Sequence, residues 1–200
     1  MSSSIHISVG LTGLMGSGKS EVANYLKRTG FPVLFMDPIG HDCLQDNEVV
    51  QTLVNSFGVK ILDEDNKINR KKLSAIVFND QKKLKRLNTI LHPMMNKKAK
   101  DWIKRQFQQG QKIVFIEAAI LFEMQMNKFL DYIVLIKAAE KDMIHRIMKR
   151  DHKSEVEIQQ ILQTQKTNED RVDYVIINDS SLEELYKNCD HLINRLKLKL

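Results

Sequence analysis

The fold of this chain is decided by the stretch Gly10-Leu-Thr-Gly13-Leu-Met-Gly16-Ser-Gly18-Lys19-Ser20. From Gly13 to Ser20 it matches the phosphate-binding P-loop pattern G-x-x-x-x-G-K-[ST]. Residues 5–9 before the motif alternate between apolar and polar and predict a strand, and residues 21–28 after it predict a helix that Gly30 ends. The motif therefore stands in the strand, loop and helix context that it requires. A glycine-rich turn without a ligand is the competing interpretation, which the complete motif disfavours.

Each residue type in the motif suits a polyphosphate ligand. Glycines allow positive φ, so that successive backbone N–H groups of the loop point at phosphate oxygens. A lysine supplies charge to the β- and γ-phosphates, and a serine hydroxyl is a hard ligand for Mg²⁺. Glu21 is expected to contribute only its backbone N–H. The predicted ATP-binding residues here are Gly13, Met15, Gly16, Ser17, Gly18, Lys19, Ser20 and Glu21.

Composition describes one ordinary domain. The chain has 200 residues, of which 42% are hydrophobic and 28% charged, and no apolar run is long enough to span a bilayer. No signal peptide is evident, and Cys43 and Cys189 lack a metal-ligand spacing. We therefore expect a cytoplasmic protein with no membrane partner, either a monomer or a weak homo-oligomer. The net charge of +6 permits polyanionic binding partners. The basic residues lack interleaved aromatic residues, however, so no nucleic-acid partner is expected.

Five strand-like segments alternate with helical ones and predict an α/β fold. After residues 5–9 they cover 31–36, 113–117, 132–136 and 174–177. This alternation is typical of a three-layer P-loop NTPase fold with a five-stranded parallel sheet. Two carboxylates follow strands, where ligands of such sheets bind. Asp37 is a candidate for a catalytic or metal-linked role or, with Pro38 after it, for a helix N-cap, and Glu117 is a candidate to orient Mg²⁺ through water.

The helical segments carry further candidates. One helix is predicted from Pro38 to about Phe57, another from Arg70 to Phe78, and a long one capped by Asp80. Pro93 is expected to break or sharply bend the long helix and leave His92 exposed, either as a substrate contact or as a structural residue.

Two arginines and a weakly apolar helix follow in the second half of the chain. Arg146 and Arg150 lie one helical turn apart and predict a phosphate clamp, with pairing to Asp142 and Asp151 as the alternative. Residues 153–165 form a polar helix with thin apolar support from Val156, Ile161 and Leu162, which predicts a mobile lid. Ser180-Ser181 with Glu183 and Glu184 is expected to supply a capping box at the start of the last helix.

Taken in order, these segments resemble the dephospho-CoA kinase family over nearly the whole chain. The resemblance rests on the P-loop, Asp37, Phe57-Gly58, the segment 65–78, Leu91-His92-Pro93, Ile120-Leu-Phe-Glu123, Arg146-x-x-x-Arg150-Asp151 and the segment 173–178. The chain departs from the family pattern at Leu14, where glycine is usual, and at Ala119, where proline is usual. Phe35-Met36-Asp37 and Gly40-His41 replace the family's Asp-Ala-Asp and downstream Ala-Arg, and the segment 165–173 is a few residues short.

The resemblance implies transfer of the ATP γ-phosphate to the ribose 3′-hydroxyl of dephospho-CoA, with Mg²⁺ as cofactor. It implies that Asp37 is the base, that Lys19 and Arg146 neutralise the migrating phosphoryl group, and that Ser20 holds the metal. ATP would also contact Arg146 and Arg150, and dephospho-CoA would contact Asp37, His92 and Arg70. The implied organisation is a single kinase domain with a core of about 1–37, 111–150 and 172–200, a CoA-binding helical insertion of about 38–110, and a lid of about 151–171.

Two other function classes share part of this pattern. A nucleoside or nucleotide kinase has the P-loop and the acid after the second strand, but the Leu-His-Pro element and the long helical insertion argue against it. A non-enzymatic nucleotide switch is suggested by Asp37-Pro-Ile-Gly40, which matches D-x-x-G. That match comes too early in the chain, and no Asn-Lys-x-Asp motif accompanies it.

Overall fold

The computed structural model describes residues 5–77, 80–165 and 169–200. It divides into two compact units. The sheet unit consists of Met1–Leu34 and Trp102–Leu200, and the helical unit is Phe35–Asp101. Among the described residues, none of the helices is both long and apolar enough to cross a membrane.

A five-stranded sheet forms the centre of the fold, as the sequence predicts. Its strands are β1 Ile7–Thr12, β2 Val33–Phe35, β3 Ile113–Glu117, β4 Tyr132–Lys137 and β5 Tyr174–Ile177. They lie in the order β2-β3-β1-β4-β5, and β3, β1, β4 and β5 pair in parallel. All residues of β1 and β3 are buried, which is the burial that helices on both faces of a parallel sheet produce. The predicted α/β fold is confirmed.

This strand order places the P-loop at the middle of the sheet. Strand β1 lies between β3 and β4, so its carboxyl end has strand ends on both sides. Ligands of parallel α/β sheets bind at such carboxyl ends. Strand β1 begins two residues later than predicted. It also ends later, because Gly10, Leu11 and Thr12 pair with neighbouring strands.

Helices α1, α6, α7 and α8 belong to the sheet unit. Their bounds are α1 Lys19–Arg28, α6 Glu140–Asp151, α7 Glu155–Thr164 and α8 Leu182–Lys197. The N–H of Glu184 donates to the Ser181 side chain at 3.2 Å, which is the first half of the predicted capping box. Stacking of Tyr25 on Tyr186, with ring centroids 4.3 Å apart, joins α1 to α8. The ring contact therefore connects the helix that follows the P-loop to the last helix.

The helical unit has its own apolar core. Its helices are α2 Met36–Cys43, α3 Asn47–Phe57, α4 Arg70–Val77 and the first part of α5 Gln81–Gln108. The buried cluster consists of Val49, Leu53, Phe57, Ile61, Leu73 and Val77. Asp80 caps α5 as predicted, since its side chain accepts the N–H groups of Lys82 and Lys83. The predicted end of α4 at Phe78 lies outside the described residues.

Two predictions about the start of this unit are wrong. The single helix predicted from Pro38 to Phe57 is two helices, because the Asp46 side chain accepts the N–H groups of Glu48 and Val49 and starts α3 anew. Helix α2 begins at Met36 with Phe35 as its N-cap, so Asp37 lies in the first turn and is not the cap.

Of the break or sharp bend predicted at Pro93, the break does not occur, because α5 runs through Pro93 without interruption. Proline removes one backbone hydrogen bond, the one that its N–H would donate to Thr89. The apolar side of the helix offsets this loss, since Met94 packs on the core of the helical unit and Met95 is buried. His92 is half-buried rather than exposed.

Candidate active site

The backbone of the P-loop has a shape that only glycine adopts easily. Gly16 has φ of 79° and Gly18 has φ of 96°, in the left-handed region that favours glycine. A Cβ at Gly16 would lie 2.8 Å from the Met143 carbonyl oxygen, and one at Gly18 would overlap the Asn178 amide. Gly18 is the N-cap of α1, so the first N–H groups of that helix complete an anion site at its positive end.

Two side chains of the P-loop, both predicted to bind ATP, converge on one carboxylate oxygen. Lys19 Nζ lies 3.4 Å from Glu117 Oε1, and Ser20 Oγ donates to the same oxygen at 3.4 Å. Glu117 is only 5% exposed at the end of β3. The parallel register pairs Leu11 of β1 with Glu117, which explains why the end of β3 lies beside the loop that follows β1. The two candidates proposed from the sequence for Mg²⁺, Ser20 and Glu117, are thus adjacent.

The donors around Ser20 fit a divalent cation that brings its own ligands. Among the described residues, no group of three or more His, Cys, Asp or Glu side chains gathers as a metal cage. Mg²⁺ bound with a nucleotide usually keeps several waters and takes one or two protein ligands, the phosphates supplying the rest. A serine hydroxyl next to a buried carboxylate matches that coordination chemistry.

Arg146 is bonded to the P-loop in this structure. Its Nη1 donates to the carbonyl oxygens of Gly16 at 3.2 Å and Ser17 at 3.5 Å, and its Nη2 donates to the carbonyl oxygen of Asn178 at 3.1 Å. Helix α6 therefore presents a cation to the carbonyl side of the loop. Arg146 is the member of the predicted clamp that the structure brings to the site.

Arg150 has a different partner. Its guanidinium binds the neighbouring Asp151 through two hydrogen bonds, of 2.7 and 2.8 Å, and this pairing holds the pKa of the Asp151 carboxyl below its usual range. The Arg150 side chain is 62% exposed. The two arginines thus have separate partners, and the alternative interpretation from the sequence describes the resting contact of Arg150.

Two further residues at the loop were missed by the sequence analysis. Asn178, at the end of β5, is 6% exposed and donates its side-chain amide to the Ser17 carbonyl at 2.8 Å. Gln165, after α7, accepts the N–H of Met15 at 2.9 Å. A polar residue at the carboxyl end of a short apolar run is the available signal for Asn178, the same signal that singles out Glu117. Glu21, expected to act through its backbone, also accepts a side-chain hydrogen bond from Tyr186 at 2.7 Å.

Helix α7, the predicted lid, has Leu162 as a buried anchor, as predicted, and Ile158 as a second anchor that was not predicted. Val156 is 64% exposed, whereas Ile158 is fully buried and Leu162 nearly so. These two side chains form a cluster with Met143, Ile144 and Ile147 of α6, on which Leu14 and Met15 of the P-loop also pack. The apolar support of α7 is thus firmer than the sequence suggests. Leu14, which departs from the family pattern, has a packing role.

The candidates for the acceptor side lie in the helical unit. Asp37 is exposed in the first turn of α2, two residues after β2 ends. Arg70 is exposed at the start of α4, and His92 is half-buried in α5. The two cysteines are buried, and burial raises the pKa of Cys189 to about 12, which makes that thiol a poor nucleophile.

Comparison with known proteins identifies the family of the chain. The family model described as dephospho-CoA kinase matches residues 7–184, a range that includes the P-loop, Glu117, Arg146 and Asn178. The chain belongs to the dephospho-CoA kinase family.

Individual dephospho-CoA kinases and solved structures support the assignment. The dephospho-CoA kinase of Fusobacterium nucleatum is 36% identical over 185 residues, which cover 91% of this chain and 94% of that protein. A crystal structure of a Thermus thermophilus protein is similar with a TM-score of 0.81 and 28% identity, over 96% of this chain and 98% of that one. The dephospho-CoA kinase of Campylobacter jejuni is similar with a TM-score of 0.72 and 26% identity, over 96% and 98%.

Proposed function

We propose that this protein phosphorylates the ribose 3′-hydroxyl of dephospho-CoA with ATP and yields coenzyme A and ADP. The observation that carries the proposal is the convergence of Lys19 and Ser20 on the buried Glu117 at the P-loop, in a chain whose family model spans residues 7–184. Phosphoryl transfer needs positioning and charge neutralisation more than covalent chemistry. A preformed anion cradle with one mobile cation supplies both.

On the donor side, backbone N–H groups of the P-loop and the first turn of α1 hold the phosphates of ATP. Lys19 exchanges the Glu117 oxygen for phosphate oxygens, where its charge offsets the charge that develops in the transition state. Magnesium bound with ATP would neutralise further phosphate charge, with Ser20 as its protein ligand and Glu117 accepting hydrogen bonds from its water.

On the acceptor side, Asp37 accepts the proton of the 3′-hydroxyl. Arg146 adds positive charge at the migrating phosphoryl group, and Arg150 contacts ATP after releasing Asp151. Arg70 and His92 bind the dephospho-CoA, whose arm the helical unit accommodates. That unit covers Phe35–Asp101, somewhat less than the insertion of about 38–110 inferred from the sequence. Helix α7 serves as the lid.

The test is a coupled assay of ADP release with ATP and Mg²⁺, offering dephospho-CoA, adenosine, CMP and pantothenate separately. We expect release with dephospho-CoA alone, and a phosphorylated product that co-elutes with coenzyme A. Release with adenosine or CMP instead would identify a nucleoside or nucleotide kinase. Binding of ATP without release of ADP, whichever acceptor is offered, would favour a non-enzymatic nucleotide switch.

Glu117→Gln tests the proposed role of that carboxylate in metal use. Glutamine keeps the size of the side chain but removes the charge that attracts Lys19 and the metal-bound water. We expect the Mg²⁺ concentration for half-maximal activity to rise roughly 10- to 100-fold, the usual cost of losing an outer-shell partner of a metal. Glu140→Gln, an exposed residue of α6, is the matched control. An unchanged Mg²⁺ requirement in Glu117→Gln would remove Glu117 from the metal site.

A further inference from the structure

Asn178 is held by three hydrogen bonds where β5 ends. Its backbone N–H donates to the Lys137 carbonyl at 2.7 Å, and its backbone carbonyl accepts Arg146 Nη2 at 3.1 Å. Its side-chain amide donates to the Ser17 carbonyl at 2.8 Å. The side chain is therefore buried between two fixed elements of the sheet unit, the end of β5 and the P-loop. The amide could donate to another partner only by breaking its hydrogen bond to the Ser17 carbonyl.

The bond to Ser17 bears on the direction of a neighbouring N–H group. In a trans peptide the carbonyl and the following N–H point in opposite directions, because the peptide unit is planar. The Ser17 carbonyl faces Asn178, so the N–H of Gly18 points away from Asn178. Gly18 immediately precedes Lys19 and Ser20 and is the N-cap of α1, so its N–H belongs to the anion cradle.

The same contacts leave the Ser17–Gly18 peptide little alternative. Arg146 Nη1 donates to the Gly16 carbonyl at 3.2 Å and more weakly to that of Ser17 at 3.5 Å. A glycine at φ of 96° rotates easily when nothing holds it. A flip of the Ser17–Gly18 peptide would aim a carbonyl oxygen at the phosphates in place of an N–H. The conformational freedom that the P-loop glycines provide must therefore be restricted from outside the loop.

We propose that Asn178 is a positioning residue that locks the Ser17–Gly18 peptide so that the Gly18 N–H faces the phosphates of ATP. It acts from the carbonyl side of the loop and does not touch the nucleotide. The proposal rests on the proposed function only in that ATP binds the P-loop. It predicts that loss of the Asn178 amide weakens the binding of ATP and leaves the binding of dephospho-CoA unchanged.

Asn178→Asp is the most informative variant. It keeps the shape of the side chain but replaces the amide donor with a carboxylate that faces the Ser17 carbonyl, so the loop carbonyl is repelled. We expect the Kd of ATP, measured by calorimetry without acceptor, to rise roughly 10- to 100-fold, as for loss of a buried hydrogen-bond partner. The KM for dephospho-CoA at saturating ATP should stay at the wild-type value. Asn178→Ala, which removes the donor without adding charge, should show a smaller rise in Kd.

Asn194→Asp is the matched control, because it makes the same chemical change at an exposed position of α8. It should leave both constants unchanged. Thermal melting of each variant reports folding, and Asn178→Ala carries the test if Asn178→Asp does not fold. A folded Asn178 variant with wild-type ATP affinity, or with equal losses for ATP and dephospho-CoA, would overturn the proposal. If the wild-type protein binds ATP but does not phosphorylate dephospho-CoA, that result would count against the proposed function alone.

Discussion

The Asp37→Asn variant is expected to bind ATP as tightly as the wild type and to lose roughly 10²- to 10⁴-fold in kcat, the range for removal of a general base. Asparagine keeps the shape of the side chain but accepts no proton from the 3′-hydroxyl. Asp37 is exposed in the first turn of α2, so the substitution disturbs no packed group. Initial rates at saturating substrates and calorimetry with ATP separate the two effects.

Asp42→Asn is the control for this variant, because Asp42 is an exposed aspartate on the same helix. It should turn over at the wild-type rate. If Asp37→Asn also retained wild-type turnover, Asp37 would have no part in proton transfer. The departures from the family pattern at Phe35 and His41, near Asp37, would then have no effect on the reaction. A loss seen only in the KM for dephospho-CoA would make Asp37 a substrate-binding residue.

The Arg146→Ala variant is expected to lose roughly 10²- to 10³-fold in kcat, as for removal of one charge-stabilising donor. The affinity for ATP should fall by a smaller factor. The loss in affinity has a structural source, since Arg146 bonds the carbonyl oxygens of Gly16, Ser17 and Asn178. Single-turnover rates together with ATP binding distinguish the two contributions.

Two further variants define which property of Arg146 matters. Arg146→Lys keeps the charge but lacks the planar fork that bridges Gly16 and Asn178, so it should recover only part of the lost rate. Lys149→Ala, at an exposed position of the same helix, should behave as the wild type. A defect of Arg146→Ala in ATP binding alone, with kcat intact, would make Arg146 a residue that positions the loop.

Much of the sheet could be predicted from the sequence because its strands are short apolar runs with sharp ends. The predicted bounds of β3 and β5 are those observed, Ile113–Glu117 and Tyr174–Ile177. Helix ends were harder to predict. The separation of α2 from α3 depends on the capping bonds of Asp46, and an aspartate within an amphipathic pattern does not reveal whether it caps or faces solvent.

The continuity of α5 through Pro93 depends on tertiary packing. Proline disfavours a helix interior by about 3 kcal/mol in isolation. In the same helix, Met94 packs on the core of the helical unit and Met95 is buried, and burial of a large apolar side chain contributes about 1.5–3 kcal/mol. The sequence shows the local cost, whereas the compensating contacts come from residues far along the chain.

The sequence by itself determined the α/β class, the P-loop and the carboxylate that ends β3, because strand patterns and glycine spacing are local properties of the chain. Only the tertiary structure decided that Arg146 and Asn178 bond to the carbonyl side of the loop. The physical reason is the distance along the chain. The Asn178 to Ser17 bond joins residues separated by 161 positions, and the strand order β2-β3-β1-β4-β5 brings their elements together.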